Sequence, residues 1–532
     1  MIHQIRGYIL PGVIALTLLA LLLGLVVNAS WLWVAGFGGA LIAVGVYDKT
    51  QKRHSLLRNY PILGHLRFVL EDAGPELHQY FVESNTSGAP FDRDQRSLMY
   101  ERAKDVPDKK PFGTELNVYD EGYSWIAHSL APRPLAQRAS ETLRTVVGEG
   151  RCEKPYSASI LNISAMSFGA LSPNAVLAMN TGAKNGGFAH NTGEGGFSRY
   201  HRQPGGDIIW QIGTGYFGCR NDEGKFDADM FAEQAQLDQV KMIEIKLSQG
   251  AKPGHGGILP AAKVSAEIAE ARRIPEGQTC FSPPGHSAFT SPIGLLEFVA
   301  KLRELSGGKP VGFKLCVGSP REFFALCKAM HETDLLPDFV TVDGAEGGTG
   351  AAPIEFSDHL GAPLRDGLIL VHNALVGIGV RDRLRVAASA KRTSGFEIAA
   401  AMAMGADWCN SARGFMLAVG CIQAQSCHTN KCPVGVTTQD PDLQRALDVN
   451  DKAKRVLNFH KNTVEALAEV TAAAGLDHPS DFTADHLWWR LSLSDVRPVS
   501  RIYDFFEPGQ LLEGHASESL QPYWEGADPA HW

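Results

Sequence analysis

From about residue 158 to residue 411 the chain alternates short apolar, β-branched runs with stretches of helical period, and most runs end in Gly, Ser or a charged residue. Eight runs predict strands: Ile160–Ser164, Phe188–Asn191, Ile208–Ile212, Met242–Leu247, Val311–Val317, Phe339–Val342, Leu384–Ala388 and Asp407–Ser411. Helical stretches at Pro173–Lys184, Pro260–Arg272, Ser291–Leu305, Pro320–Glu332 and Gly395–Gly405 lie between many of them. Eight repeats over roughly 250 residues predict an α/β fold, a (β/α)8 TIM barrel, with a doubly wound sheet as the competing arrangement. In a barrel, the loops after the strands line the C-terminal face, where chemistry is done. A longer helix is expected around Asp440–Ala474, followed by a polar tail.

The first residues follow a different pattern. Tyr8 to Val27 carries no charge, and after Asn28-Ala29-Ser30 a second uncharged run extends from Trp31 to Tyr47. The first run is long enough to cross a hydrocarbon core. A signal peptide cut near Ala29 is the alternative, but the apolar stretch exceeds the usual length of about 7–15 residues. The pattern predicts an N-terminal two-helix transmembrane hairpin. Arg6 precedes it, Lys49, Lys52, Arg53 and Arg58 follow it, and the turn has no Lys or Arg. Both ends, and the body with them, are therefore expected on the cytoplasmic side of a multi-pass membrane protein. The expected division is 1–50 hairpin, 51–150 connecting cap, 151–460 barrel with a cysteine loop, and 461–532 C-terminal extension.

Composition narrows the function classes. Of 532 residues, 44% are hydrophobic and 20% charged, which excludes bulk disorder. The net charge of -8 and the lack of a basic block argue against nucleic acid as a partner. Nine Cys, an odd and sparse number, do not make a secreted disulfide framework.

Three of those Cys stand together in Cys421-Ile-Gln-Ala-Gln-Ser-Cys427-His-Thr-Asn-Lys-Cys432-Pro433. Thiolates on a wrapping loop suit an iron–sulfur cluster, and three ligands suggest three irons. A zinc site with His428 and three unrelated thiols are the alternatives. Gly213-Thr-Gly-Tyr-Phe-Gly218 matches GxGxxG but lacks a βαβ unit and a ribose-binding acid, so a dinucleotide site is not expected there.

The cysteine loop resembles the three-iron cluster loop of glutamate synthase, in which Cys, five residues, Cys-His, three residues and Cys-Pro-Val-Gly follow in order; here these are Cys421, Cys427-His428 and Cys432-Pro433-Val434-Gly435. The resemblance continues through Ala165–Ser172, Asn191–Gly196, Gln249–Gly254 and Asp343–Ala351, and covers roughly residues 155 to 460. It implies the FMN-binding barrel of that family, with FMN and a 3Fe-4S cluster. The large enzymes of the family begin with a glutaminase domain, whereas this chain starts Met1-Ile2 and runs into an apolar segment.

The resemblance also implies site residues. Ser164, Ala165, Met166 and Ser167 would contact the flavin ring, with Gln211 beside it. Lys314, in the middle of an apolar run, would sit by the ring's N1 edge; a buried lysine is costly unless it meets an anion. Gly347 and Gly348 line the same face. Lys391, Arg392, Ser411 and Arg413 follow the seventh and eighth runs, where barrels hold phosphate. Glu194, between glycines, can trade a proton with an amine or imine. Lys252 and Arg272 match positions that clamp a 2-oxo acid, and Lys252 is also an expected catalytic group; Lys246 is a second basic candidate. Arg272-Arg273 reads equally as solvated charge. The family's glutamine after Gly256-Gly257 is Ile258 here.

The expected activity is that of a glutamate synthase-like oxidoreductase acting on CH–NH2 groups. It would turn a 2-oxo acid and ammonia or a small amine into an amino acid, or run in reverse, with an electron donor or acceptor still to be named. The rival is a membrane-tethered electron-relay or scaffold subunit. A homo-oligomer is compatible with either.

Overall fold

Eight parallel strands close on themselves. They are β1 (Leu161–Ile163), β2 (His190–Asn191), β3 (Ile208–Ile212), β4 (Val240–Lys246), β5 (Val311–Leu315), β6 (Phe339–Asp343), β7 (Arg385–Ser389) and β8 (Trp408–Ser411). Each pairs with its sequence neighbour, and β8 returns to β1 through Cys409–Leu161, Asn410–Asn162 and Ser411–Ile163. The eight apolar runs are these strands. The (β/α)8 barrel is therefore the fold, and the doubly wound alternative is excluded by closure. The structure, a computed structural model, describes residues 7–532, so Arg6, Met1 and Ile2 lie outside the described residues.

Local chemistry moved several boundaries. The stretch Pro260–Arg272 is a 3-10 turn, Ala261–Lys263, and a separate helix, Ala266–Arg272. Ser265 restarts it, its side chain accepting the Ile268 N–H. The helix expected over Asp440–Ala474 is likewise two, Pro441–Gln444 and Val449–Ala473, the second capped by Asp448 on the Asp451 N–H.

The barrel floor is closed by a hairpin, Arg144–Val147 with Tyr156–Ser159. Val147, Tyr156 and Ala158 pack there with Ile209, Met242, Phe339, Ala387 and Trp408. Burying one such aromatic contributes about 1.5–3 kcal/mol, and Trp408→Ala is expected to cost about 3–5 kcal/mol. The end of the chain is more than a polar tail. Ser124–Ile126, Leu487–Arg490 and Val496–Pro498 form a three-stranded sheet, Leu511 is buried against Gly377, and Trp524 meets Phe324 edge-on. Single apolar residues spaced through a polar sequence hold it down.

The chain separates into two compact units, Met1–Arg93 and Asp94–Trp532. In the first, Ile9–Val26 and Trp31–Thr50 are long and apolar enough to cross a membrane. They pack on each other: Gly24 lies under Leu32, and Gly38 faces Thr17.

Candidate active site

The C-terminal strand ends surround a cleft of about 580 Å3. Its rim is laced together at β1, β7 and β8. The Ser164 N–H donates to the Ser411 carbonyl at 3.0 Å, and the Ser164 and Ser389 hydroxyls lie 3.2 Å apart. Asn191, ending β2, accepts the Gly193 N–H at 3.0 Å. Gly193 has φ +64°, and a Cβ there would lie 2.6 Å from the Ser167 nitrogen. Only glycine allows that approach, and it carries Glu194 into the cleft.

Residues two apart on a strand share a face. In β4 this puts Glu244 and Lys246 inward, on a strand otherwise apolar at its core. Glu244 is fully buried and accepts three bonds: from Asn191 at 2.8 Å, Gln211 at 2.7 Å and Thr341 at 2.7 Å. Lys246 Nζ lies 2.7 Å from Glu194 Oε1. Lys314, inward on β5, lies 3.1 Å from Asp343 Oδ2 at the end of β6, and the Gly250 N–H donates to the same oxygen at 3.0 Å.

These pairs set the ionisation of the cleft. Burial pushes the Glu194 carboxyl up, but Lys246, then Lys252 and Arg272, outweigh it and hold it below the usual carboxylate value. Burial likewise opposes the Lys314 charge, but Asp343 and Glu244 raise it above the ordinary lysine value. Among the described residues Lys252 has no such ion pair. Burial, reinforced by Lys246, lowers it to about 8 against the pull of Glu194.

The carboxylate of Glu194 fits between two glycines. A Cβ on Gly213 would lie 2.9 Å from Oε2, and one on Gly257 2.8 Å from Oε1. The GxGxxG segment therefore makes room for Glu194.

Ser164, Ala165, Ser167, Gln211, Lys314, Gly347, Gly348, Lys391, Ser411 and Arg413 line the cleft with Glu194 and Lys246. Met166 is buried beside it. Arg392 turns away, its guanidinium donating to the carbonyls of Ala390 and Glu397. The amides of Thr393 and Ser394 are taken by the Glu397 carboxylate of a capping box at 2.7 and 3.1 Å. Cationic character at that end comes from Lys391 and Arg413. Burial, and the mutual repulsion between them, lowers the Lys391 amine.

Lys252 and Arg272 do not line the cleft; both are buried, with Glu194 within range of their charge. Arg272 Nη2 donates to the Phe168 carbonyl at 3.0 Å, while its Nε is buried with no partner among the described residues. Arg273, by contrast, is the solvated arginine of the two. Ile258 lies in a two-residue strand paired with Phe281. Asp343 and Glu244 received no role from sequence reasoning. The signal was present, since charged residues inside apolar strands need partners.

Cys421, Cys427 and Cys432 share one loop. Burial pushes the Cys421 thiol up to about 11, the Gln423 N–H opposing and the other two thiols adding to it. At Cys432 burial is outweighed by donors from Thr437, Val434 and Val436, which lower the thiol. Among the described residues no group of three or more His, Cys, Asp or Glu stands close enough to hold one metal ion. The loop is anchored. The Tyr100 hydroxyl donates to the Cys421 carbonyl at 2.6 Å, and Gln439 donates to the carbonyls of Gly169 and Leu171, just beyond β1.

Comparison with known proteins places this geometry. A sequence model of the conserved region in glutamate synthase matches residues 130–477. The glutamate synthase large subunit-like protein YerD of Bacillus subtilis is 38% identical over 84% of this chain and 91% of its own length. The archaeal glutamate synthase [NADPH] of Methanocaldococcus jannaschii is 36% identical over 59% of each chain, so this chain spans little more than half of that relative. A solved mandelate oxidase variant with benzaldehyde is 14% identical, covering 81% of this chain and 98% of that chain at a TM-score of 0.42. With the family region covering most of the barrel and its cysteine loop, the chain belongs to the glutamate synthase family.

Proposed function

We propose that the chain is an FMN- and iron–sulfur-dependent oxidoreductase that reductively aminates a dicarboxylic 2-oxo acid, 2-oxoglutarate to glutamate, or runs the reverse. The carrying observation is the Glu194–Lys246 pair in the same cleft as the Lys314–Asp343 pair.

The residues present fit FMN. The cleft opens at the C-terminal strand ends, where a ring and a phosphate can both be reached. Small residues, Ser164, Ala165, Gly347 and Gly348, leave backbone open to a flat ring, with Gln211 at its edge. Lys314 offers a held positive charge for the ring's N1 edge, and Lys391 and Arg413 offer charge for the phosphate. When bound, FMN would supply hydride chemistry between an electron source and the substrate carbon.

The chain's own groups do the rest. Reductive amination joins ammonia or an amine to the keto carbon, releases water, and adds two electrons and two protons. Glu194, kept ionised by Lys246, accepts a proton from the amine nitrogen in one direction and returns it in the other. The acid's carboxylates would be met by Lys252 and Arg272, whose charges reach Glu194 from behind the cleft wall. With Ile258 in place of a glutamine, one neutral hydrogen bond is missing, worth about 0.5–1.5 kcal/mol.

Three thiols with amide donors around Cys432 suit a 3Fe-4S cluster. Gln439 fastens their loop to the β1 loop of the cleft. The two apolar helices would anchor the chain in the cytoplasmic membrane, with the barrel on the cytoplasmic side.

The test is the flavin. Heat release from the purified chain is expected to yield FMN. FAD would contradict the cofactor assignment, and no flavin would favour the relay or scaffold reading.

A further inference from the structure

The helix Leu63–Asp72 follows the apolar hairpin within the same unit, and a buried carboxylate fixes it there. Asp48, near the end of Trp31–Thr50, accepts the Ile62 N–H at 2.9 Å and lies 2.9 Å from His65 Nε2. Gly45 leaves room where Leu10 and Ile62 close in. The helix is thus held at the end of the hairpin by hydrogen bonds to Asp48 and by packing, and is not a loose tether.

Its surface is two-sided. At 3.6 residues per turn, Leu63, Leu66, Val69 and Leu70 fall on one stripe. All four are exposed, Leu66 at 59% and Val69 at 61%. Arg67 and Glu71, paired at 2.6 Å, sit beside that stripe. The π-helical turn His78–Val82 adds Phe81, 82% exposed. An apolar stripe of this size left in water is costly.

We propose that residues 63–82 form an interfacial ledge lying in the headgroup boundary of the leaflet from which Trp31–Thr50 emerges. The occupant of the stripe is bilayer lipid. Two observations favour lipid over a protein partner. The stripe is clamped by Asp48 to a hairpin whose own exposed Leu19, Leu22 and Phe37 need lipid, so the apolar surface is continuous with it. The linking segment also carries Lys52, Arg53 and Arg58, which suit anionic headgroups. The inference rests on the membrane reading above.

The experiment uses the full chain in vesicles of phosphatidylethanolamine and phosphatidylglycerol. A benzophenone amino acid replaces Leu66, Phe81 or, as the hairpin reference, Leu19, one at a time. Light is expected to give lipid adducts at Leu66 and Phe81 within about threefold of Leu19. Lipid adducts at Leu19 with none, or only protein adducts, at Leu66 and Phe81 would overturn the ledge and leave the hairpin standing. No lipid adduct at Leu19 would overturn both.

Discussion

Lys246 and Lys314 stand in register on neighbouring strands, and each is answered by its own carboxylate, Lys246 by Glu194 at 2.7 Å and Lys314 by Asp343 at 3.1 Å. Two adjacent inward ammonium groups would repel one another, so each acid permits the other strand's lysine as well as its own. Lys314→Met leaves Asp343 buried without its cation and is expected to lower stability by about 3–5 kcal/mol. The double variant Lys314→Met/Asp343→Asn is expected to recover part of that loss. Thermal melts of the two proteins check this.

The same arrangement sets a pH profile. Glu194 is largely shielded from water, which favours its neutral form, and Lys246 is the first of the cations that reverse this. Its folded pKa is depressed, so the stability it contributes is present above the ordinary carboxylate value and is lost as pH falls through the folded value. In Lys246→Met, burial dominates and the acid limb of the amination rate is expected to move to higher pH. At the alkaline end, Lys252 loses its charge through about 8, so the half-saturating 2-oxo acid concentration is expected to rise above that pH. Folding itself gains from this deprotonation, because the unfolded lysine holds its proton to higher pH. Steady-state rates across pH, with saturation curves at each point, measure both limbs.

Gly257→Ala tests whether the placement of Glu194 matters. The new methyl group would come 2.8 Å from Oε1 and 3.1 Å from Cδ, so the carboxylate must move. A displacement of this kind is expected to lower turnover about 10²-fold with flavin content unchanged. Flavin absorbance and turnover on one preparation separate the two effects.

Much of this was legible because a barrel writes its period into the sequence. The eight strands showed as β-branched runs, and the cysteine loop and the glycine-flanked Glu194 showed by spacing. What stayed hidden depends on partners distant in the chain. Glu244 is satisfied by Asn191, Gln211 and Thr341 from three other strands, and no local pattern announces that. Arg392 is a related case. Its charge suited a phosphate loop, but nearby carbonyls took its guanidinium, and the Glu397 cap took the amides of Thr393 and Ser394. Helix restarts at Ser265 and Asp448 were readable as capping residues, yet apolar periodicity ran across them.

For the cysteine loop, Cys421→Ser, Cys427→Ser and Cys432→Ser are each expected to lower iron and acid-labile sulfide together in anaerobically prepared protein. Metal analysis beside a sulfide assay is the check. Stoichiometric zinc with neither iron nor sulfide in the intact chain would remove the cluster from the account.

The central claim is that Glu194 manages the proton when a 2-oxo acid and an amine take electrons in this cleft. The direct measurement mixes anaerobically reduced protein with 2-oxoglutarate and ammonium and follows the return of oxidised flavin absorbance. The account predicts a return in the unaltered chain and its loss in Glu194→Gln with equal bound flavin. No return with any 2-oxo acid and amine, or an undiminished return in Glu194→Gln, would contradict it.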